Sequence, residues 1–173
     1  MYRIIRAVSM AMLLSAGCAQ VAHSAPGKPV TTPAEVAAIT AVTVDFQAAL
    51  KAKDARKLSS LMLNSNILFA APANDKQVAF IRKEIDPNSD GVRAGGYNDF
   101  VQFVKSEKRQ IEEKFYDVKI TQDGDMAWVM FDYEFLFDGV VQNHGIEAWQ
   151  MVKRDGLWKI FSVTWSVNYK DDK

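Results

Sequence analysis

The chain has 173 residues, enough for one domain whose hydrophobic core needs no disulfide support. Its 21 basic and 21 acidic residues balance, and 49% of the residues are hydrophobic. These values exclude a disordered chain and argue against a cationic surface for polyanions, so we expect no nucleic-acid partner.

Residues 1–25 have the pattern of a secretory signal peptide. Arg3 and Arg6 precede the apolar run AVSMAMLLSAGCA, which is too short to remain as a membrane-spanning helix. We therefore predict a periplasmic or secreted protein, with a tether at 26–31 and one domain at 32–170. Removing residues 1–25 takes away two of the 21 basic residues and none of the 21 acids, which leaves a net charge of −2.

Cys18, the single cysteine, allows two processing routes. The stretch SAGC resembles a lipoprotein-processing box, in which Cys18 would carry lipid and anchor an outer-membrane lipoprotein; Ser15 stands where that box usually has a larger aliphatic residue. The alternative is ordinary cleavage after Ser24 or Ala25. On either route the domain itself has no cysteine, which excludes a disulfide framework and a cysteine nucleophile.

Two helix starts follow the tether. Thr32 followed by Pro33 and Glu35 is an N-cap signature, and apolar residues at spacings of three and four predict a helix to about Lys53. Asp54 is the expected cap of a short second helix.

The segment after these helices is less regular. Residues 67–72 read as a strand that a proline ends, and QVAFIRKEI fits either a helix or a strand. DPNSDGVRAGG reads as a loop, and Asn98 is the expected cap of a third helix.

The last sixty residues predict a four-stranded antiparallel meander. Asp-Gly between alternating apolar runs is a strong signal for a two-residue hairpin turn, and it occurs three times. The three pairs are Asp123-Gly124, Asp138-Gly139 and Asp155-Gly156.

These turns also predict a register. The strand that begins near Ala127 is expected to turn its odd-numbered side chains, such as Phe131 and Tyr133, toward the helices. In this register Ala127 lies opposite Ile120, and Tyr133 lies opposite His144. The predicted outer face carries the intervening residues, including Trp128, Asp132, Glu134, Glu147 and Trp149.

The order of elements resembles the nuclear-transport-factor-two-like superfamily over residues 33–169. The stretches that carry the resemblance are FQAALKAKDARKLSSLM, GDMAWVMFDYEFLFDG and DGLWKIFSVTWS. The resemblance implies an α+β cone fold, in which N-terminal helices pack in the concave face of a curved, mainly antiparallel sheet and leave a pocket. It also implies dimers formed through the sheet. The superfamily includes ketosteroid isomerase, scytalone dehydratase and SnoaL-like polyketide cyclases.

Isomerase chemistry of the ketosteroid type is not expected. By resemblance, the helix-one tyrosine of that enzyme falls at Phe46, its base at Ala70 or Ala71, and its second acid near Ala148. Each of these residues lacks the functional group that the reaction needs.

His144 and Tyr133 are the candidate catalytic pair. An imidazole serves as a base near neutral pH, and a phenol donates to a developing oxyanion, so both in one cone would suit a dehydratase or cyclase. The alternative is a half-buried structural histidine. One histidine and no cysteine in the domain cannot build a tetrahedral metal site, and we expect neither a metal nor a cofactor.

The favoured function is binding of a small apolar or aromatic ligand, or a non-catalytic accessory role in the cell envelope. The alternatives are a cofactor-free lyase or isomerase, and an interaction module that dimerises through the outer sheet face. The expected pocket residues are Phe46, Tyr116, Phe131, Tyr133, Phe135, Gln142, His144, Gln150 and Trp165. The expected homodimer interface consists of Trp128, Met130, Trp149, Trp158 and Ile160.

Overall fold

The computed structural model describes residues 31–169, without the side chains of 93–95. The signal peptide, Cys18 and most of the tether lie outside the described residues. The elements are α1 (Pro33–Lys51), α2 (Ala55–Leu61), β1 (Leu68–Pro72), α3 (Asp75–Glu84), β2 (Val92–Gly96), α4 (Tyr97–Ser106), β3 (Ile111–Asp123), β4 (Met126–Phe137), β5 (Val140–Arg154), β6 (Leu157–Trp165) and β7 (Asn168–Tyr169). Within 31–169, none of the helices combines the length and apolarity needed to cross a membrane.

The first two helices begin where the sequence predicts. The Thr32 hydroxyl accepts a hydrogen bond from the Glu35 amide at 3.2 Å, and the Asp54 carboxylate accepts one from the Lys57 amide at 2.8 Å. Helix α1 buries one apolar face against the sheet. Its buried residues are Ile39, Val42, Thr43, Phe46, Ala49 and Leu50.

The segment QVAFIRKEI, which fits either a helix or a strand by its sequence, belongs to helix α3. Asn74 and Gln77 form a capping box at the start of α3, which stabilises a helix rather than a strand there. Helix α4 begins at Tyr97 with Gly96 as its N-cap, so the prediction that Asn98 caps this helix is wrong.

The strands form one sheet in the order β2-β1-β6-β5-β4-β3, with β7 paired to β5. Strands β3 to β6 are the predicted antiparallel meander, whereas β1 runs parallel to β6. The predicted α+β class, with helices in the concave face of the sheet, is confirmed.

Strand β4 has the predicted orientation. Ala127, Val129, Phe131 and Tyr133 are buried, with exposed fractions of 3% or less, whereas Trp128 is 43% exposed. The inside and outside of the central strand are therefore as the sequence predicts.

The register of β3 differs from the prediction. The predicted turn at Asp123-Gly124 is wrong by one residue: Asp123 pairs with Met126, so Gly124 and Asp125 form the turn and Ala127 pairs with Gln122 instead of Ile120. A bulge between Tyr116 and Lys119 shifts the strand again. The bulge reverses which side chains face inward. Tyr116, predicted inside, is therefore 44% exposed on the convex face.

Strand β5 faces the opposite way from the prediction because of one extra residue. Phe135 pairs with Asn143 and Leu136 with Val141, so Gln142 is left over as a bulge. Beyond it Tyr133 pairs with Gly145, not with His144. The residues that now face the core are Glu147 (4% exposed), Trp149 (1%) and Met151 (0%).

A third bulge lies in β6, and beyond it Val163 faces the core as predicted. Close to the Asp155-Gly156 turn the pairing is as predicted, but Phe161 is an extra residue between the pairs of Met151 and Gln150. Trp158 and Ile160, predicted on the outer face, are 4% and 0% exposed, because they precede this bulge and pair with the reversed strand β5. Trp158 Nε1 also donates a hydrogen bond to Glu35 at 2.7 Å, which ties the sheet to the start of α1.

Aromatic rings fill the middle of the cone. The Phe115 and Phe131 ring centroids are 4.0 Å apart, and the Trp149 ring lies 5.0 Å from Phe46 and 5.1 Å from Phe131. The interior is therefore a packed aromatic core at this level, as expected for protein interiors.

Candidate functional site

Two carboxyl groups and a phenol lie inside the aromatic cone. Glu113 on β3 is 7% exposed, Glu147 on β5 is 4% exposed, and Tyr133 on the intervening β4 is 3% exposed. Glu113 lies directly across from Phe135, and Glu147 directly across from Phe131. Carboxylic acids are seldom buried unless they are paired, so this cluster needs a physical explanation.

The bulges place both acids there. Glu113 precedes the β3 bulge, so it shares the inward face with Phe115 and not with Tyr116. Glu147 follows the Gln142 bulge on β5, which turns its side chain from the predicted outer face to the core.

Burial shifts the protonation of both acids. Desolvation raises the pKa of Glu147 to about 7, against a hydrogen bond from Trp149 Nε1 that lowers it. Desolvation, followed by repulsion from Glu147, raises the pKa of Glu113 well above the usual value. The pair therefore retains at least one proton at neutral pH.

No countercharge neutralises the pair within residues 31–169. The ion pairs of this region involve other acids, on the surface or at the helix ends. Glu147 has the Trp149 indole as a donor, whereas no described residue donates a hydrogen bond to the Glu113 carboxyl. Glu113 is thus a largely buried carboxyl that no described residue hydrogen-bonds, whereas the fully buried side-chain atom without a partner in 31–169 is Gln122 Oε1.

Tyr133 is held rigidly beside the acids. Its hydroxyl oxygen lies 2.8 Å from the Ser166 carbonyl oxygen and 3.0 Å from Asn143 Oδ1, and it donates to these acceptors. Burial, followed by the charges of Glu113 and Glu147, raises the pKa of Tyr133, so the phenol stays protonated.

A glycine in β5 allows the segment after β6 to approach closely at Ser166. A Cβ atom on Gly145 would lie 2.3 Å from the Ser166 carbonyl oxygen, which no side chain tolerates. The Ser166 hydroxyl in turn accepts a hydrogen bond from the Ile146 amide at 3.0 Å. Gly145 therefore fixes the acceptor that orients the phenol.

The predicted catalytic pair is not brought together. His144 is exposed and pairs across the convex side with Glu134, whereas Tyr133 points into the core. The prediction that both share the concave face is wrong, because the Gln142 bulge shifts His144 by one position.

The predicted pocket residues separate into three groups. Phe46, Phe131 and Tyr133 are buried in the core, and Phe135 and Trp165 are partly buried beside it. The remaining four lie elsewhere. Gln142 is the bulge residue, and Tyr116, His144 and Gln150 are on the convex face.

The convex face has two open depressions. One, of about 410 Å³, is lined by Asp132, His144 and a Tyr116 hydroxyl that donates to Glu134 Oε2 at 2.8 Å. The other, of about 460 Å³, is lined by Trp128 and Met130. Among the described residues, no three histidine, cysteine, aspartate or glutamate side chains converge as a metal site.

The predicted dimer residues also divide. Trp128 and Met130 are 43% and 45% exposed on the convex face, as expected, but Trp149, Trp158 and Ile160 are in the core. These last three cannot contact a second copy while the domain is folded.

Comparison with solved structures identifies the fold. An NTF2-like (nuclear-transport-factor-two-like) protein from Cytophaga hutchinsonii superposes with a TM-score of 0.58 at 15% identity, over 80% of this chain and 100% of that one. The chain has the nuclear-transport-factor-two-like fold. A candidate scytalone dehydratase from Novosphingobium aromaticivorans gives a TM-score of 0.57 at 15% identity, over 78% of this chain and 85% of that one.

A third similar structure is a candidate dehydratase of the NTF2-like family from Streptomyces avermitilis. It superposes with a TM-score of 0.54 at 18% identity, over 79% of this chain and 99% of that one. No family model and no curated protein matches the sequence. At these identities the likeness concerns the fold, and the site must be judged from its own residues.

Proposed function

We propose that this protein binds a small, mostly apolar ligand inside the cone, next to Glu113 and Glu147. The observation that carries the proposal is the Glu113 carboxyl, which is 7% exposed and accepts no hydrogen bond from residues 31–169. A buried polar group without a partner costs about 1–3 kcal/mol. A ligand that supplies the missing donor would recover this free energy on binding.

Entry to the site is expected beside α4. Phe103 packs against Phe135 and Phe137 at ring distances of 6.3 and 6.2 Å, and all three rings are only partly buried. Since Phe135 lies directly across from Glu113, rotation of these rings would open a path to the carboxyl. The ligand would then replace aromatic contacts that now fill the space.

The proposal is tested by thermal-shift screening of apolar and aromatic metabolites. We expect hits with the parent protein that are weakened in Glu113→Gln and retained in Glu112→Gln. Glu112 is the matched control, because it is the next residue on β3 and pairs with Lys51 at the surface. No stabilising compound in a broad library, or equal shifts in both variants, would reject binding at this place.

A second candidate is a cofactor-free lyase or isomerase, favoured by the pKa of Glu147 near 7. A carboxyl with this pKa can take a proton from a carbon acid and return it at neutral pH. Two of the similar structures carry dehydratase descriptions. In this candidate Glu147 replaces His144 as the base. Turnover of a compound found in the screen, abolished by Glu147→Gln and unchanged by Glu134→Gln, would establish it.

Export and self-association remain proposals as well. We propose that residues 1–25 direct the chain out of the cytoplasm, either with lipid on Cys18 or with cleavage after Ser24 or Ala25. Fractionation of cells that express the parent and Cys18→Ala distinguishes the routes, since only lipidation requires the thiol. We also propose a homodimer through the exposed Trp128 and Met130.

A further inference from the structure

We propose that the polar group of the ligand is a protonated primary or secondary amine, so that the site selects small organic monocations with an apolar body. This inference deepens the proposed binding function and rests on it. It is carried by the juxtaposition of two carboxyl groups without a countercharge and the aromatic rings around them.

The charge balance of the interior is the first argument. Glu113 and Glu147 lie in the core, and no lysine, arginine or histidine of residues 31–169 forms an ion pair with either. Because burial raises the pKa of both acids, together they carry at most one negative charge near neutral pH. One positive charge on a ligand would neutralise the two carboxyls, whereas a second positive charge would be left unpaired in a low-dielectric interior.

The aromatic surroundings are the second argument. Phe135 lies across the strand from Glu113, Phe131 lies across from Glu147, and the Trp149 indole donates to Glu147. Residues directly opposite in an antiparallel pair have Cβ atoms about 5 Å apart, so these rings border the carboxyls. Aromatic faces attract ammonium groups by about 0.5–2 kcal/mol, and they also bind the apolar body of such a ligand.

The missing hydrogen bond narrows the class of amine. No described residue donates a hydrogen bond to the Glu113 carboxyl, and among cationic amines only those that carry N–H can donate one. A quaternary ammonium has the charge but no donor. We therefore expect a primary amine to bind more tightly than its trimethylated form.

The experiment compares amines with alcohols of matched shape. The probes are benzylamine, 2-phenylethylamine and cyclohexylmethylamine, each paired with its alcohol and its trimethylammonium analogue, and binding is measured by calorimetry near neutral pH. We expect each primary amine to bind at least about tenfold more tightly than its alcohol, which corresponds to about 1.4 kcal/mol. Glu113→Gln and Glu147→Gln should remove most of that preference, and Glu112→Gln should retain it.

The outcomes separate the inference from the function beneath it. Alcohols that bind as tightly as the amines, with affinity reduced in Glu113→Gln, would overturn the amine preference and leave ligand binding in place. Trimethylammonium forms that bind as tightly as the primary amines would overturn the requirement for a donor. No binding by any of the probes, together with no hit in the apolar screen, would overturn both proposals.

Discussion

Glu113 of β3 and Glu147 of β5 flank Tyr133 of β4, and all three side chains point into the aromatic interior. Each acid is on the inner face because a bulge lies between it and the turn that sets the strand's register. The charge of Glu147 contributes to the raised pKa of Glu113, after desolvation. The burial of these three side chains is therefore expected to affect how the stability of the domain changes with pH and on substitution.

Replacing Glu147 should change the pH dependence of stability. Its folded-state pKa of about 7 is raised from 4.5, so between these values the folded state binds more protons than the unfolded state. Its contribution to stability is complete below pH 4.5 and is lost as the pH rises through 7. Glu147→Gln should remove this loss, which is on the order of 3 kcal/mol.

The measurement is urea unfolding of parent and variant from acid to mildly alkaline pH. The free energy of unfolding of Glu147→Gln minus that of the parent should rise with pH over this window. Glu112→Gln, at a surface carboxylate, should show no such rise. A parallel pair of curves for Glu147→Gln and the parent would contradict the buried, raised carboxyl.

Removing the Tyr133 hydroxyl should destabilise the domain. Tyr133→Phe leaves the Ser166 carbonyl and Asn143 amide oxygens without their partner, which should cost about 1–3 kcal/mol. Tyr116→Phe is the matched control, because its hydroxyl also contacts an acceptor but the residue is 44% exposed. We expect a change within about 0.5 kcal/mol for the control. Equal effects in denaturant unfolding would contradict the placement of Tyr133.

Adding a methyl group at Gly145 should disrupt the contact between β5 and Ser166. The Cβ of Gly145→Ala would lie 2.3 Å from the Ser166 carbonyl oxygen, and a backbone atom cannot move aside as a side chain can. We expect a loss of about 2 kcal/mol or more, as for overpacked cores. Ile146→Ala, at the next residue and 51% exposed, should be nearly neutral by the same unfolding measurement. A Gly145→Ala protein as stable as the parent would show that β5 and Ser166 are not in contact.

The proposed dimer has a direct test at Trp128. A charge at this exposed residue of the convex face, in Trp128→Glu, should convert a dimer to a monomer in sedimentation velocity. Leu157→Glu is the control, because Leu157 is also exposed but lies at the β5–β6 turn. A parent that sediments as a monomer, or a Trp128→Glu protein that stays dimeric, would reject this interface.

The sequence predicted the elements better than the faces of the strands. The caps at Thr32 and Asp54 and the turns at Asp138-Gly139 and Asp155-Gly156 rely on local chemistry, so they could be recognised without tertiary information. The first turn was predicted one residue too early, because Asp123 pairs with Met126. The orientation of β4 was also predictable, because its apolar residues alternate without interruption. Gln142 gives no comparable signal, since a bulge there serves the curvature of the whole sheet.

Two of the bulges do leave a trace in the sequence. In β6 the buried apolar residues are even-numbered to Ile160 and odd-numbered from Val163, and in β3 they change parity between Ile111 and Ile120. Such a change of phase within one strand indicates an extra residue. The acids at 113 and 147 were missed because a charged residue in a strand is normally assigned to the solvent side.

Measuring the pKa of Glu147 tests the proposed site most directly. We would label the glutamate side chains with carbon-13 and follow their carboxyl signals by NMR from about pH 3 to pH 9, a range that spans ordinary and raised carboxyl pKa values. The signal lost in Glu147→Gln should titrate with a midpoint near 7 in the parent protein. If every glutamate titrates near its ordinary value of about 4.3, the carboxyl pair is not buried in the cone, and the proposed site is wrong.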